Sequence, residues 1–264
     1  MKLGRVRIIC FSPTGSSRKI AEAVASAVSN TYELNDLTLP SARNQYEVDF
    51  TDELVILAAP VYFGRVARTA VEIFTGLQGE KTPVVLLAVY GNRHFDDALV
   101  ELNDIAVSGG FMPIAAAAFV ATHSFDSPEY PIASGRPDIE DLAQAKAFAD
   151  MVLGKIKTAG NFKAIESITV PGNIPYKEYG GYPVAPVSTD ACMQCGTCVR
   201  VCPKGAISIN DKIVTTDQPA CILCHACVKE CPAEARVFVS PQLLSAYQRL
   251  NTLLVARREP EFFV

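Results

Sequence analysis

The chain has 264 residues, of which 49% are hydrophobic and 20% are charged, and its formal net charge is −4 at pH 7. This composition predicts one large or two modest globular domains with a packed core, and it excludes the basic footprint of a nucleic-acid-binding protein. The apolar stretches Val84–Val89 and Ala115–Val120 are too short to span a bilayer. No export signal is apparent, so we expect a cytoplasmic protein with reduced thiols.

Strand and helix patterns alternate over residues 1–160, the first predicted domain. Apolar runs predict buried strands at Arg5–Phe11, Leu54–Ala59, Pro83–Tyr90 and Met112–Val120, with a short edge strand at Tyr32–Leu37. Helices are predicted at Ser17–Val28, Ala67–Leu77, Asp96–Ser108 and Ile139–Ile156. Because the buried strands lack alternation and are separated by helices, we predict an α/β domain with a doubly wound parallel sheet covered on both faces. Cys10, inside the first strand, is expected to be a small buried side chain.

Residues 161–187 lack any sustained period and contain four prolines and a Gly–Gly pair, which predicts a connector. Tyr176, Tyr179 and Tyr182 are too many aromatic side chains for a freely solvated linker. We therefore expect the connector to pack on a domain surface.

Eight of the nine cysteines form two runs with the spacing C-x2-C-x2-C-x3-C-P, inside a second predicted domain at 188–240. The first run is Cys192, Cys195, Cys198 and Cys202, and the second is Cys221, Cys224, Cys227 and Cys231. Four closely spaced thiolates followed by proline are typical of [4Fe-4S] ligands, whereas zinc usually takes two separated C-x2-C pairs. Scattered buried cysteines would not repeat a pattern at an offset of 29 residues. His225, between two of these cysteines, is expected at the surface rather than as a ligand.

The two runs resemble those of bacterial ferredoxins that hold two [4Fe-4S] clusters. In that family the last cysteine of each run ligates the other cluster. The resemblance implies one cluster on Cys192, Cys195, Cys198 and Cys231, and another on Cys221, Cys224, Cys227 and Cys202. Two clusters make a relay, so this domain is predicted to carry electrons one at a time.

The C-terminal segment, residues 241–264, contains one helix pattern at Pro241–Arg257. Its tail carries Phe262 and Phe263, which we expect to dock against a domain.

Three loops of the first domain should meet beyond the carboxyl ends of its strands, where open parallel sheets bind ligands. The first offers hydroxyls and helix-terminal amides suited to a phosphate, at Ser12, Thr14, Gly15, Ser16 and Ser17. The second contains Pro60, Val61, Tyr62, Phe63 and Gly64. The third contains Tyr90, Gly91, Asn92, Arg93 and Asp96. No G-x-x-x-x-G-K-[ST] or G-x-G-x-x-G pattern is present, so neither a triphosphate loop nor that dinucleotide site is indicated.

These loops resemble those of flavodoxins, and the order of the pieces is similar to flavodoxin–ferredoxin fusion proteins of anaerobes. The resemblance implies that FMN binds at the three loops, with the first around its phosphate and the other two beside its ring. Aromatic side chains of the second and third loops would stack on the ring, and backbone groups near Gly91 and Asn92 would bond its polar edge. Pro13 and the serines after it depart from the commoner Asn–Thr of the family, which leaves the individual phosphate contacts open.

Other interpretations of these loops stay open. Serines before a helix also serve as simple caps, Tyr62 and Phe63 could cover a hydrophobic surface, and we expect Asp96 or Asp97 to cap the next helix. His123 follows the fourth strand, and we expect a solvated loop position, with an approach to the flavin edge as the alternative.

An electron carrier is the favoured function, in which electrons pass between two [4Fe-4S] clusters, FMN and a ferredoxin-like or flavoenzyme partner. One alternative is an FMN-dependent reductase of a quinone or nitro compound that is supplied through the clusters. A redox sensor is the least favoured, because no additional interaction module is visible. The sequence leaves the donor, the acceptor and a homodimeric state undecided.

Overall fold

A computed structural model of the chain describes residues 4–44, 46, 49–50, 52–161 and 164–264. Parts of the predicted first domain and of the predicted connector, at 1–3 and 162–163, thus lie outside the described residues. The strands are β1 (Arg5–Cys10), β2 (Glu33–Asp36), β3 (Glu53–Tyr62), β4 (Arg65–Val66), β5 (Thr82–Tyr90), β6 (Phe111–Val120), β7 (Val187–Ser188), β8 (Ile207–Asn210), β9 (Ile213–Thr216), β10 (Arg236–Val237) and β11 (Glu261–Phe263). The helices are α1 (Ser16–Val28), α2 (Pro40–Arg43), α3 (Arg68–Phe74), α4 (Ala98–Ser108), α5 (Ile139–Ala159), α6 (Thr197–Arg200), α7 (Ala226–Lys229) and α8 (Pro241–Leu253).

Five strands of the main sheet are parallel and follow the order β2-β1-β3-β5-β6. Numbered along the chain, this is the order 2-1-3-4-5 of flavodoxin-like doubly wound folds. The predicted α/β fold is therefore confirmed, and β2 lies at the sheet edge as expected. In this order the strand sequence reverses beside β1, so the loops after β1 and β3 flank the switch point.

Both faces of the sheet are buried because its strands are apolar without alternation. In β1, Ile8 packs toward α1 and α5, whereas Ile9 packs toward α3 and α4. Cys10 is fully buried, as predicted. The two helix layers leave only the sheet ends open, and the carboxyl end is where the three candidate loops meet.

The C-terminal tail adds an antiparallel strand that the sequence did not predict. Strand β11 pairs with the edge strand β6, with Phe262 opposite Ala117. The ring of Phe262 lies 5.6 Å from that of Phe119 and 5.1 Å from that of Phe148. Docking of the tail is thus confirmed, and it covers an otherwise open sheet edge.

The tyrosines of the connector contact the first domain. The guanidinium of Arg65 lies 4.5 Å from the ring centre of Tyr176, and that of Arg68 lies 4.2 Å from the ring centre of Tyr179. The hydroxyl of Tyr176 donates to Asp104. None of the helices in the described part of the chain has the length and apolar character needed to cross a membrane.

Candidate cofactor sites

The loop between β1 and α1 presents unpaired donors. The hydroxyl oxygen of Ser12 accepts from the backbone N–H of Arg18 at 3.0 Å, so one helix-terminal donor is capped within the loop. In the described chain, the backbone N–H groups of Thr14, Ser16 and Ser17 have no protein acceptor. These amides stand at the start of a 13-residue helix, an arrangement that suits a phosphate group.

The cations nearest to this loop are engaged elsewhere. The guanidinium of Arg18 pairs with Glu22 at 3.3 Å and with Asp36 at 3.8 Å. The ammonium group of Lys19 donates to the carbonyl of Pro137 at 2.7 Å. An anion at this loop would therefore be held by amides and hydroxyls.

Two adjoining cavities lie beyond the carboxyl ends of β1, β3 and β5. The hydroxyl cavity, of about 40 Å³, is lined by the loop residues Ser12, Thr14, Ser16 and Ser17 together with Pro60. The aromatic cavity, of about 200 Å³, is lined by Phe63, Gly64, Arg93, Tyr182, Ile222 and Leu223. Six residues line both cavities: Val61, Tyr62, Tyr90, Gly91, His123 and Ser124. The pair forms one elongated site with a hydroxyl-lined end and an aromatic end, an arrangement that would suit a flavin mononucleotide.

His123 belongs to this site, so the expectation of a solvated loop position was wrong. Its Nδ1 accepts from the backbone N–H of Phe125 at 3.0 Å, which fixes the neutral tautomer with hydrogen on Nε2. Burial, with Lys229 nearby, lowers the pKa of His123 to about 4. A Cβ on Gly91 would come within 2.3 Å of the imidazole, so the absence of a side chain at Gly91 permits this packing.

Gly15, Asn92 and Asp96 line neither cavity. Gly15 has a φ of 81°, which turns the chain into α1. Asp96 pairs instead with Arg93 at 2.5 Å and Lys177 at 2.6 Å. Burial opposes its ionisation, but the hydrogen bonds from Lys177 and Arg93 lower the pKa of Asp96 overall. Asp96 thus ties the third loop to the connector.

Asn92 fastens the C-terminal segment to the third loop. Its side chain is 3% exposed, and its Nδ2 donates to the carbonyls of Leu254 and Ala256, both at 2.9 Å. Its Oδ1 accepts from the backbone N–H of Arg258 at 3.1 Å. These bonds explain why α8 ends at Leu253, before the predicted Arg257.

The expectation that an aspartate caps the helix after the third loop was wrong. Asp97 occupies the cap position of α4, but its carboxylate makes no capping bond. The carboxylate accepts from the backbone N–H of Asn173 at 2.8 Å and from that of Lys177 at 2.7 Å. Its side chain therefore holds the connector, a role that depends on a distant segment.

The two cysteine runs share one backbone geometry. Gln194 and Leu223, which are equivalent in the repeat, have φ values of 58° and 56°. The sulfur atoms of Cys202 and Cys231 accept from backbone N–H groups at 3.3 and 3.2 Å. Each run thus turns around its cysteines in the same way, with short helices α6 and α7 at the third cysteine.

The environments of the two runs differ. Met193 is 64% exposed in the first run, whereas Leu223 is 5% exposed in the second. Ile222 and Leu223, between Cys221 and Cys224, form a wall of the aromatic cavity. The second run is therefore adjacent to the candidate flavin site, and the apolar residues within it are the signal that sequence reasoning overlooked.

His225 is buried, so its expected surface position was wrong. Its Nδ1 lies 2.9 Å from the carbonyl of Leu223, and its Nε2 lies 2.5 Å from the hydroxyl of Tyr247. The rings of Phe125 and Phe238 lie 5.0 and 4.6 Å from the imidazole. Helix α8 and the loop after β6 cover this residue, which no local pattern reveals.

Burial sets the acidity of the second-run thiols. It raises the pKa of Cys227 to about 11 and that of Cys224 further, whereas a hydrogen bond with Thr197 lowers the pKa of Cys195. Because cluster ligands are thiolates, loading the second run must displace protons from buried thiols. Within the described residues, no three Cys, His, Asp or Glu side chains group as around a single metal ion.

The buried guanidinium of Arg236 tests whether the cysteine region fits a negatively charged group. Arg236 is 2% exposed, and its Nε has no hydrogen-bond partner in the described chain. A buried donor is rarely left without an acceptor in a complete structure. An anionic cluster on the neighbouring cysteines would supply that acceptor, so the residues of the cysteine region fit a [4Fe-4S] cluster.

Comparisons with known proteins match the cysteine region and the preceding domain separately. Residues 191–235 match the family described as a 4Fe-4S dicluster domain. No curated protein matches the chain. The region of two [4Fe-4S] clusters is thus supported by a family match, although the match spans less than half of the chain.

Three solved structures resemble the chain in fold. The flavodoxin of Streptococcus pneumoniae TIGR4 is 16% identical, with 57% of this chain and 98% of that chain covered and a TM-score of 0.39. Oxidised flavodoxin 1 of Bacillus cereus is 12% identical, with 57% and 97% covered and a TM-score of 0.41. The WrbA-like flavodoxin of Agrobacterium tumefaciens is 14% identical, with 59% and 98% covered and a TM-score of 0.39. At such values the fold assignment rests on the strand order, and the chain joins a flavodoxin-like fold to a 4Fe-4S dicluster region.

Proposed function

We propose that the protein transfers electrons among two [4Fe-4S] clusters, one noncovalent FMN and an external redox protein. The observation that carries this proposal is the shared wall of the aromatic cavity. Ile222 and Leu223 of the second cysteine run face the same cavity as Tyr62 and Phe63 of the second loop. A flavin ring in that cavity would touch the loop that holds a cluster.

The ferredoxin-like pairing sets the order of the relay. One cluster would use Cys221, Cys224, Cys227 and Cys202, and it would lie beside the flavin. The other would use Cys192, Cys195, Cys198 and Cys231. Because Cys195 and the nearby Met193 are exposed, the cluster on Cys192, Cys195, Cys198 and Cys231 would be the one open to an external partner. Division into domains at 1–160 and 188–240, with a connector between them, belongs to the same proposal.

In the FMN site, the first loop would hold the phosphate with the amides of Thr14, Ser16 and Ser17. Tyr62 and Tyr90 both line the two cavities, and Tyr62, the more exposed of the two, would contact the ring. Desolvation and the nearby Cys224 raise the pKa of the Tyr62 hydroxyl, which keeps it protonated. When bound, FMN exchanges one or two electrons and can couple one-electron clusters to a two-electron partner.

The first test is the composition of the protein after anaerobic purification. We expect about eight irons per chain, from two [4Fe-4S] clusters, together with one noncovalent FMN. A Ser16→Ala/Ser17→Ala variant, which loses two hydroxyls of the phosphate loop, should weaken FMN binding more than riboflavin binding. Protein that contains no FMN and does not bind added FMN would contradict the flavin half of the proposal.

The second test is the kinetics of flavin reduction after mixing with a reduced ferredoxin. If electrons pass through the clusters of the same chain, flavin bleaching follows cluster reduction with a rate constant independent of protein concentration. A rate that rises in proportion to concentration would show transfer between chains. Steady turnover of a quinone or nitro compound would instead favour the reductase alternative.

A further inference from the structure

Arg236 breaks the internal repeat of the two cysteine runs. The 29-residue offset that relates the runs places Arg236 at the position equivalent to Ile207. Ile207 is buried and packs with Cys198 and Cys227. The second repeat therefore keeps the backbone of the first but has a cation where the first has an aliphatic side chain. Arginine is rare in an apolar interior unless it is paired.

The partners of Arg236 are all uncharged. Its Nη1 donates to Ser188 Oγ at 2.9 Å, and its Nη2 donates to the carbonyl of Pro186 at 2.9 Å and to Thr216 Oγ1 at 2.5 Å. Its Nε donates to no atom of the described residues. The guanidinium also forms no ion pair with any carboxylate that the structure describes. A guanidinium is always protonated, so the interior holds an uncompensated positive charge.

The anion that would balance this charge lies within reach of both runs. Strand β10, which begins at Arg236, packs against helix α7, which contains Cys227. Ile207, at the equivalent position of the repeat, packs with Cys198 and Cys227 of both runs. An isolated buried ion costs several kcal/mol, and an opposite charge nearby offsets that cost. Thiolate-ligated clusters carry net negative charge and are the groups that these cysteines would hold.

We propose that Arg236 is the buried counter-cation of the two clusters and that its Nε–H donates a hydrogen bond to the thiolate sulfur of Cys227. This inference rests on the proposed function, since it requires loaded clusters. It assigns Arg236 a positioning and potential-setting role, because cluster potentials depend on net charge, hydrogen bonds to sulfur and solvent exposure. Reduction adds a negative charge to a cluster, so a fixed buried cation favours the reduced state.

The test compares the same substitution at a buried and an exposed arginine. Arg236→Gln removes the charge but keeps a polar side chain, and Arg236→Ile restores the residue found at the equivalent position. Arg200→Gln is the matched control, because Arg200 donates to the carbonyl of Cys195 at 3.0 Å yet is exposed to water. The reduction potentials of the clusters in anaerobically purified full-length protein are measured by redox titration followed by electron paramagnetic resonance.

We expect Arg236→Gln and Arg236→Ile to make reduction of the flavin-proximal cluster at least tenfold less favourable, which is a shift of about 59 mV to more negative potential. Arg200→Gln should change the same equilibrium less than about threefold, since exposed charges are screened. Loaded Arg236 variants with unchanged potentials would overturn the proposal. Shifted potentials in the Arg236 variants, together with an unsubstituted protein whose flavin is not reduced through the clusters, would count against the relay and not against this role of Arg236.

A measurement on the unsubstituted protein covers the case in which neither Arg236 variant loads iron. Protein labelled with ¹⁵N-arginine should show a hyperfine coupling between the reduced cluster and an arginine nitrogen. The coupling should persist in Arg200→Gln, which removes an arginine that donates to the carbonyl of Cys195. Absence of any arginine coupling in loaded protein would contradict the hydrogen bond from Nε.

Discussion

At the scale of single residues, the third loop shows how a motif locates a site without fixing the role of each side chain. Gly91 and Arg93 line the aromatic cavity. Asn92, Asp96 and Asp97 instead bind the C-terminal segment and the connector. Sequence spacing could place this loop at the sheet edge, but side-chain direction depends on segments that arrive from far along the chain.

Asp97 provides a test at this scale. Its carboxylate is buried, and although burial opposes ionisation, backbone and side-chain hydrogen bonds lower the pKa of Asp97 overall. Asp97→Asn should destabilise the protein by about 2 kcal/mol at pH 7, which lowers Tm by about 4–8 °C.

The loss of stability in Asp97→Asn should become smaller at low pH. A depressed carboxyl pKa contributes stability above the unfolded-state pKa of about 4, and this contribution disappears as the pH falls through the folded-state pKa. Thermal melts should therefore show a constant penalty from pH 8 to 5 and a smaller one below about pH 4. Asp150→Asn, at an exposed position of α5, is the control; an equal loss in both variants would refute the role given to Asp97.

At the scale of elements, apolar runs predicted four of the five parallel strands because those strands are buried, whereas β2 is a partly exposed edge strand. Strand β11 was missed because a segment of three residues carries no period, and its pairing with β6 is set by tertiary contacts. The repeat of the cysteine runs was visible, yet the departure at Arg236 gained meaning only when its burial was known. Candidate cluster ligands are thus recognisable from spacing, whereas the residues around them are not.

Strand β11 is expected to stabilise the first domain through one aromatic ring. Phe262→Ala should cost about 2 kcal/mol, because the ring packs between Phe119 and Phe148 but remains partly exposed. Anaerobic thermal melts should show a Tm lower by about 4–8 °C. Val264→Ala, at a residue that is 41% exposed, should have little effect and serves as the control. Similar melts for both variants would mean that β11 adds no packing energy.

At the scale of the whole molecule, two segments that flank the cysteine region are attached to the same loop. The connector binds Asp97 from before the cysteines, and Leu254–Arg258 binds Asn92 from after them. The Ile222 and Leu223 wall of the aromatic cavity lies between these two attachments along the chain. The third loop is therefore a joint between the flavodoxin-like fold and the dicluster region.

Removing one attachment should loosen the C-terminal segment. Asn92→Ala deletes three partly buried hydrogen bonds, so we expect amide hydrogen exchange in residues 254–258 to become at least tenfold faster, equivalent to about 1.4 kcal/mol. Flavin reduction through the clusters should slow in the same variant. Asn103→Ala, in α4, removes only a bond to the neighbouring Asp104 and is the control. Unchanged exchange in Asn92→Ala would show that other contacts hold the segment.

The two attachments at Asn92 and Asp97 restrict how far the dicluster region can move from the flavodoxin-like fold. If the dicluster region were attached at one point only, it would rotate relative to the flavodoxin-like fold. Electron transfer would then depend on diffusive encounters between donor and acceptor. Because the dicluster region is attached both before and after the cysteines, we expect the separation of Leu223 and Tyr62 to stay constant and independent of solvent viscosity. Electron tunnelling weakens steeply with the distance between donor and acceptor. Two attachments that fix this distance would therefore let the fold set the rate of the proposed electron transfer.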